Sequence, residues 1–293
     1  MAATGATLWA VNGTVSKVIL ASGIDAQRLS QVRSTGAFAG LALVVGLTRP
    51  AALRVRARDL PFLAFFGIVG LAFVQWFYFI AIHRLEIAVA LLIQYTAPLL
   101  VALWARFVYR EHVRRRIWVA LVLALGGLSL VLDAWHGVTL DTLGVVASVV
   151  ASVTYALYLL LAERALVRRD PVSLLTWGFL FAALFWAVAR PWWTFPFGRA
   201  AASVSLLGRL DGLHLPVWVL MASVIVLGTI VPFTLVVAAL RHLRATRVGI
   251  VAMVEPVVAT IVAYVWLAES LGVAQVVGGA IVLTAIGLAQ TAR

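Results

Sequence analysis

The stretch "VEPVVATIVAYVWLAE" (residues 254–269) carries charge at only two positions, Glu255 and Glu269. Glu255 stands beside Pro256 near the start of a run of Val, Ala and Ile, whereas Glu269 closes that run. A charged side chain within a membrane-like apolar segment is costly, and it usually faces the protein interior or a wet cavity. The stretch therefore predicts a buried helix that carries a functional carboxyl group at Glu255.

A related stretch, "TAPLLVALWARFVYRE" (residues 96–111), lies earlier in the chain. Its Pro98 and Glu111 precede Pro256 and Glu269 by the same 158 positions. That offset also relates Gly70 to Gly228, Ala81 to Ala239, Leu85 to Leu243 and Ala105 to Ala263, while an offset of 145 relates Asp25 to Asp170 and Leu29 to Leu174. The constant spacing predicts that the chain contains two related halves.

The composition predicts a membrane protein. Hydrophobic residues make up 64% of the chain and charged residues 12%, with a mean hydropathy of +1.07, whereas soluble domains are about 45–50% apolar. The uncharged runs do not alternate as barrel strands do, so helices are expected. We predict ten spans, at about residues 4–22, 28–48, 60–83, 86–109, 117–133, 143–164, 172–190, 216–241, 246–268 and 273–291. The absence of cysteine excludes disulfides and thiol chemistry.

The net charge of +12 is distributed asymmetrically between alternate loops. One side is predicted to hold Arg49, Arg54, Arg56, Arg58, Arg110, Arg114, Arg115, Arg116, Arg164, Arg168, Arg169, Arg241, Arg244, Arg247 and Arg293; the other holds Arg28, Arg84, Arg190, Arg199 and Arg209. The positive-inside rule then places both termini in the cytoplasm, with the chain in the cell inner membrane. "RVRARD" (54–59) and "EHVRRR" (111–116) are predicted to be topology signals that contact anionic lipid, not nucleic acid.

Each half, residues 1–135 and 136–293, is predicted to contain five spans. Because five is odd, the second half enters the membrane upside down relative to the first. Inverted repeats are typical of secondary transporters, which bind substrate near the midplane between the repeats. The sequence therefore predicts an all-α membrane protein of ten transmembrane helices, arranged as two inverted five-helix repeats around a central cavity.

Ten spans, a five-plus-five repeat and a "P-x(12)-E" pattern that ends spans four and nine resemble the drug/metabolite transporter superfamily, EamA type, over the whole chain. "NGTVSK" (12–17) and "EP" (255–256) resemble its aromatic amino acid exporter branch. The resemblance implies a secondary transporter, not an enzyme, that exports amino acids, including aromatic ones, by alternating access. Ala97 occupies the position of the first half that is equivalent to Glu255. Any acid-dependent step would therefore belong to one half only.

Charged residues inside the spans are the first candidates for a site, because such groups are rare in membrane helices. Lys17 and Arg33 could contact a substrate carboxylate or pair with Glu255, or they could extend to the outer interface. Glu255 could exchange a proton during transport, bind a substrate ammonium, or be a structural carboxyl that bonds to backbone freed by Pro256.

Polar and aromatic residues at helical spacing extend this site. On span four, Ala90, Gln94, Ala97, Val101 and Trp104 are predicted to share one face that lines the cavity. The predicted substrate-binding residues are Trp9, Asn12, Lys17, Gln75, Tyr78, Gln94, Trp104, Tyr155, Tyr158, Trp177 and Glu255, with Pro98 and Pro256 as structural kinks. Amides and aromatics together suit a small zwitterion with a variable side chain.

Other functions find less support in the sequence. The chain has no phosphate-binding loop, and His83, His112, His136, His214 and His242 lack metal-ligand spacing, so we expect no cofactor and no metal. A nucleotide-sugar or drug/metabolite carrier, an intramembrane lipid-modifying enzyme and a signalling or structural membrane protein remain alternatives. Spans five and ten contain "GGLSL" (126–130) and "VGGA" (277–280) and almost no polar groups, which predicts close packing at the periphery and a homodimer surface.

Overall fold

The computed structural model describes residues 1–82, 84–85, 87–133 and 141–291. His83, His136, Arg293 and the border between the predicted halves lie outside these residues. The helices of the first half are α1 (Ala2–Ala21), α2 (Ala26–Thr48), α3 (Leu60–Phe65), α4 (Val74–Ile82), α5 (Ile87–Gln94), α6 (Ala97–Phe107) and α7 (Arg115–Val131). Those of the second half are α8 (Thr142–Ala165), α9 (Pro171–Ala189), α10 (Phe197–Ala201), α11 (Val217–Ile225), α12 (Val231–Ala239), α13 (Ala245–Ala252), α14 (Val254–Trp266) and α15 (Val273–Thr291).

Helix covers each of the ten predicted segments to within a few residues. Seven helical segments of the described chain are long and apolar enough to cross a membrane: Ala57–Ile82, Val89–Phe107, Thr142–Ala165, Pro171–Ala189, Val217–Ala239, Ala245–Trp266 and Val273–Thr291. These segments support a multi-pass membrane protein. The count of ten crossings, which also needs α1, α2 and α7 to span, stays a prediction.

The fourth and ninth segments are broken helices. Proline has no N–H and its ring collides with the carbonyl four residues earlier, so an interior proline interrupts a helix. For Pro98 that carbonyl belongs to Gln94, where α5 ends, and for Pro256 it belongs to Ala252, where α13 ends. Each proline then lies in the first turn of the following helix, α6 or α14. The two breaks therefore follow from the two prolines.

The third and eighth segments each contain a π-helical stretch. Residues Phe66–Phe73 join α3 to α4, and Val226–Ile230 join α11 to α12. Single π turns are rare and often occur at functional sites, because they leave backbone carbonyls without their usual partners. Gly70 and Gly228, one of the pairs related by 158 positions, lie in these two stretches.

Helices from the two halves pack against each other. The main pairs are α2 with α9, α7 with α15, α6 with α13, α1 with α12 and α14, and α8 with α4, α5 and α6. The contact between α7 and α15 is close because both helices carry glycine where they cross. A Cβ atom on Gly127 would lie 2.8 Å from the Gly278 carbonyl oxygen, and one on Gly278 would lie 2.5 Å from that of Gly127.

Alternate loops meet at one end of the molecule, here named the basic face and defined by the loops that follow α2, α6, α8 and α12. Arg169 Nη2 lies 2.6 Å from Asp59 Oδ2, and Arg244 Nη1 lies 2.8 Å from Glu111 Oε1. The first amide of α13 donates to Glu163 Oε1 at 3.3 Å. These contacts join loops that the charge pattern assigned to one side.

The remaining loops meet at the opposite face. Its ion pairs are Lys17–Glu269, Asp25–Arg190 and Arg84–Asp141. Asp25 also caps the start of α2, by accepting a hydrogen bond from the Arg28 amide. These ion pairs join loops that the charge pattern assigned to the other side.

The segment between α9 and α11 departs from the all-α prediction. It contains α10 and a two-stranded antiparallel hairpin, β1 (Ser203–Ser205) with β2 (His214–Pro216). Phe195 and Leu206 of this segment are buried against α1, α2 and α11, and the Trp266 indole donates to the Leu206 carbonyl at 2.9 Å. The segment forms a packed cap, because its apolar side chains cover the ends of three helices.

We predict that the two faces lie on opposite sides of the membrane. The chain has no native cysteine, so single replacements Arg58→Cys, on the basic face, and Trp193→Cys, in the exposed cap, can be labelled with a membrane-impermeant maleimide. Arg58→Cys should react only from the cytoplasmic side and Trp193→Cys only from outside. Ala37→Cys, which is fully buried, is the unlabelled control, and labelling of both test sites from one side would contradict the topology.

Candidate functional site

The two helix breaks bring Glu255 and Tyr95 together. Tyr95 lies between α5 and α6, and Glu255 lies in the first turn of α14. The Tyr95 hydroxyl donates to Glu255 Oε2 at 2.7 Å. Tyr95 is 4% exposed, so this charge-assisted hydrogen bond lies away from bulk water and is of the stronger kind.

Two further tyrosines surround this carboxylate. Tyr78 of α4 and Tyr155 of α8 are close enough to interact electrostatically with Glu255. The Tyr155 ring lies perpendicular to the Tyr95 ring, with centroids 6.4 Å apart. Thr96 Oγ1 also lies 2.9 Å from Ser152 Oγ, which attaches the break in the fourth segment to α8. Three helices therefore converge on Glu255.

A continuous row of aromatic rings leads away from Glu255. Tyr155 stacks on Tyr158 with centroids 6.1 Å apart, and Tyr158 meets Phe233 edge to face at 5.8 Å. Phe233 in turn contacts Trp9 at 5.0 Å. Such offset and perpendicular contacts are favourable for aromatic pairs. The predicted residues Trp9, Tyr155 and Tyr158 thus belong to one cluster with Glu255.

Arg33 supplies the opposite charge. Its Nε donates to Thr229 Oγ1 at 3.1 Å and its Nη2 donates to the Gly228 carbonyl at 3.2 Å. Both acceptors belong to the π-helical stretch that joins α11 to α12. Arg33 and Glu255 interact electrostatically. A guanidinium and a carboxylate therefore face the same interior region from different halves of the chain.

Several predicted residues present polar atoms that the described part of the chain leaves without a hydrogen-bond partner. These buried atoms are Trp9 Nε1, Asn12 Oδ1, Gln75 Oε1, Gln94 Oε1 and Tyr158 Oη. A buried polar group without a partner costs roughly 1–3 kcal/mol. The cluster thus carries hydrogen-bonding capacity, mostly from amide and aromatic side chains, that a polar ligand could satisfy.

Three predicted residues lie apart from this cluster. Lys17 is 58% exposed and pairs with Glu269, which lies about 20 Å further along the ninth segment than Glu255 at 1.5 Å per residue. Trp104 is 42% exposed and contacts Tyr109 near the basic face. The Trp177 indole donates to the Leu53 carbonyl at 3.3 Å. Lys17 thus pairs with Glu269 and not with Glu255, and the Trp104 ring lies outside the cluster; the substrate-binding roles of Lys17, Trp104 and Trp177 stay predictions.

The sequence reasoning missed Tyr95, Thr229 and Phe233. An unbroken fourth helix would turn Tyr95 away from the face of Gln94 and Ala97, whereas the break redirects it toward Glu255. Pro98 was the available signal, since it predicts that the helix ends at Gln94. The described residues contain no group of three or more His, Cys, Asp and Glu placed to hold a metal. The cluster itself offers opposite charges, hydroxyls and amides for noncovalent contacts.

Comparison with known proteins shows the family of the chain. The sequence matches the EamA-like transporter family over residues 1–133 and 142–290. The threonine/homoserine exporter RhtA of Escherichia coli (strain K12) is 28% identical over 258 residues, which cover 87% of this chain and 79% of RhtA. An uncharacterized transporter of Archaeoglobus fulgidus is 28% identical over 214 residues, covering 72% of this chain and 70% of its own.

A solved structure has the same fold. A protein of known crystal structure superposes with a TM-score of 0.77 at 18% sequence identity, over 98% of this chain and 93% of its own. At this identity the likeness concerns the fold alone, and it extends over both halves of the chain.

We predict that Gly228→Ala destabilises the site. A Cβ atom at this position would lie 1.9 Å from Asn12 Oδ1, and relief of that collision would move the carbonyl that holds Arg33. The expected loss is about 1–3 kcal/mol, as for other overpacked interiors, seen as a lower apparent melting temperature in detergent. Gly126→Ala is the matched control, because nothing lies within 4 Å of the added carbon. Equal melting temperatures for the two variants would contradict the packing described here.

Proposed function

Because the chain belongs to the EamA-like transporter family, we propose that it is a secondary transporter of the inner membrane that exports amino acids, including aromatic ones. The family and the exporter relatives make it a membrane transporter of a small molecule. The similarity to a threonine/homoserine exporter supports amino acids as the substrate class. The finer steps of this proposal rest on the cluster around Glu255.

The observation that carries the proposal is the pair of opposite charges in one aromatic interior. An amino acid is a zwitterion, so its recognition calls for an anion near its ammonium group and a cation near its carboxylate. Glu255, held by Tyr95, supplies the first and Arg33 supplies the second. The row from Tyr155 to Trp9 and the unpartnered amides of Gln75 and Gln94 would contact the substrate side chain.

Inverted repeats are part of the proposal, and several local features support them. The helix breaks at Tyr95 and Met253 are 158 positions apart, and the two π-helical stretches contain the related glycines. Asp25 and Asp170, related by 145 positions, cap the starts of α2 and α9 with their side chains. Equivalent positions in the two halves thus adopt the same unusual local structures.

The packing of the helices supports the same relation. In the proposed repeats α1 is equivalent to α8, α4 to α12 and α6 to α14. The packed pair α1 with α12 therefore corresponds to the packed pair α8 with α4, and α1 with α14 corresponds to α8 with α6. The pairs α2 with α9 and α7 with α15 each join two equivalent helices. Such an arrangement about a two-fold axis suits alternating access, in which the site opens first to one side and then to the other.

Residues 1–135 and 136–293 are the proposed repeats, with the basic face and both termini in the cytoplasm. The family match, over residues 1–133 and 142–290, is consistent with this division. A homodimer through α7 and α15 is also proposed. Val122 and Val276 on these helices are 72% and 55% exposed, as contact with lipid or with a second copy would require.

Counterflow in proteoliposomes tests the substrate class. Vesicles containing the purified protein and unlabelled threonine should accumulate labelled threonine, homoserine and phenylalanine from outside, and protein-free vesicles should not. Accumulation of a labelled nucleotide sugar with no amino acid exchange would favour the alternative carrier of the same superfamily. The absence of exchange with every amino acid tested would contradict the proposal.

We predict that Glu255→Gln weakens substrate binding, because the variant cannot pair with the ammonium group. Hydrogen bonds to charged groups contribute about 1.5–3 kcal/mol, so the substrate concentration for half-maximal counterflow should rise roughly 10- to 100-fold at every pH. Glu269→Gln is the matched control, because it removes an exposed carboxylate at the face opposite the basic face.

The pH profile of Glu255→Gln separates the roles considered for this residue. A variant that keeps exchange but loses its response to pH and its active accumulation would assign proton exchange to Glu255. A variant that transports and responds to pH like the unmodified protein would show that Glu255 is a structural carboxyl.

We predict that Tyr78→Ala and Gln94→Ala lower counterflow at subsaturating substrate, because Tyr78 interacts electrostatically with Glu255 and the buried Gln94 Oε1 has no hydrogen-bond partner among the described residues. One aromatic contact contributes about 0.5–1.5 kcal/mol beyond its buried area, which corresponds to roughly 2- to 10-fold in affinity. Trp104→Ala is the control, since its exposed ring lies outside the cluster, and it should keep its affinity. Equal affinity in all three variants would show that Tyr78 and Gln94 pack against helices alone.

A further inference from the structure

A cavity opens on the basic face, between the loop after α6 and the start of α13. Its volume is about 310 Å³. It is lined by Ala105, Glu111, His112, Val113, Arg114, Ile117, Arg244, Thr246 and Arg247. The lining therefore combines residues of both halves of the chain, which approach each other here through the contact of α6 with α13.

The charge of this cavity is positive. Arg114, Arg244 and Arg247 contribute three guanidinium groups, whereas Glu111 contributes one carboxylate, which Arg244 contacts at 2.8 Å. An adjoining cavity of about 550 Å³ shares His112 and Arg114 and adds two further arginines of the same loop. Like charges that converge on one cavity repel each other, and an anion that bridges them relieves this repulsion.

The cavity has an apolar floor and lies beside a lipid-facing surface. Ala105 and Ile117, at the floor, are 7% and 6% exposed. On the last turns of α6, Trp104 and Phe107 are 42% and 72% exposed, and Tyr109 just beyond is 40% exposed. Exposed aromatic side chains at the end of a membrane helix are typical of the interface between lipid and water. A ligand with a charged head and an apolar tail therefore fits these surroundings better than a free anion does.

We propose that this cavity binds the phosphate headgroup of an anionic phospholipid. Arg114, Arg244 and Arg247 contact the phosphate oxygens, and the acyl chains follow the exposed aromatic side of α6. Arginine suits this role because its guanidinium can donate two parallel hydrogen bonds to phosphate, and basic pockets between membrane helices are known lipid sites. The phosphate competes with Glu111 for Arg244.

Such a lipid would act on the helices that hold the candidate site. The cavity joins the end of α6 to the start of α13, and each of these helices borders one of the two breaks. Tyr95 lies at the beginning of α6, and Glu255 lies just after α13. A headgroup that bridges the two helices would therefore restrain the segments that carry Tyr95 and Glu255.

Native mass spectrometry and thermal unfolding of the purified protein test the site. We compare phosphatidylglycerol, phosphatidylcholine and inorganic phosphate, each added to the full-length chain in detergent. Phosphatidylglycerol should remain bound and raise the apparent melting temperature, and the other two should do so weakly. Arg114→Gln/Arg247→Gln should weaken phosphatidylglycerol binding about tenfold or more, as expected when charge-assisted hydrogen bonds are lost.

Arg54→Gln/Arg58→Gln is the matched control, because it removes the same charge from the basic face outside the cavity. An equal loss of binding in the two double variants would overturn the proposal and indicate diffuse attraction of anionic lipid to the surface. An equal response to inorganic phosphate would show a site for free anions, and an equal response to phosphatidylcholine would show no selectivity for anionic lipid; both would also overturn it. Should the cavity variant not fold, Arg114→Gln alone should still weaken binding severalfold, and unchanged binding would count against the site.

Discussion

The missing N–H groups of Pro98 and Pro256 are the constraint on which the rest of the arrangement depends. In an apolar surrounding each backbone polar group needs a partner, so a helix can break only where other side chains supply one. The two breaks are crossed by contacts from elsewhere in the chain: Tyr95 bonds to Glu255, and Thr96 bonds to Ser152. Each break is thus a point where helices of the two halves meet.

The π-helical stretch that contains Gly228 also provides contacts for side chains of other helices. It leaves a carbonyl and the Thr229 hydroxyl available to Arg33, and the lack of a Cβ atom at Gly228 lets Asn12 approach. A charged residue of α2 is therefore fixed in the interior by irregular backbone of another segment. Irregular backbone at membrane depth is usually found where it is buried in protein or lines a cavity, and it often marks a binding site.

Within the proposed repeats, the scaffold is symmetric but its charges are not. The position equivalent to Glu255 is Ala97, and the position equivalent to Arg33 is Gly178. The proposed two-fold axis therefore does not repeat either charge, which would give a bound zwitterion a single orientation. The charged groups of the zwitterion would contact Arg33 and Glu255, and its side chain would extend along the row of aromatic rings toward Trp9. By contrast, Glu111 and Glu269 occupy equivalent positions, and both carry a carboxylate. Glu111 forms an ion pair at the basic face, and Glu269 forms one at the opposite face.

The sequence alone determined the positions of the helices, because a long apolar run has few other stable forms in a membrane and because a proline in the interior of a helix interrupts it. It also indicated most members of the site, since Asn12, Tyr78, Tyr155 and Glu255 are polar groups in apolar runs. It could not identify the partners of Glu255, Lys17 or Arg33.

Those partners were decided by tertiary structure. Lys17 meets Glu269 across 252 positions and Tyr95 meets Glu255 across 160, and no local pattern encodes which helices become neighbours. Trp104 shows the same limit from the other direction, because Ala97 and Val101 on its face of α6 are buried whereas Trp104, near the end of the helix, is exposed. Periodicity assigns a side chain to a face of one continuous helix, whereas the break at Pro98 and the packing of α6 against α8 and α13 decide where that face points.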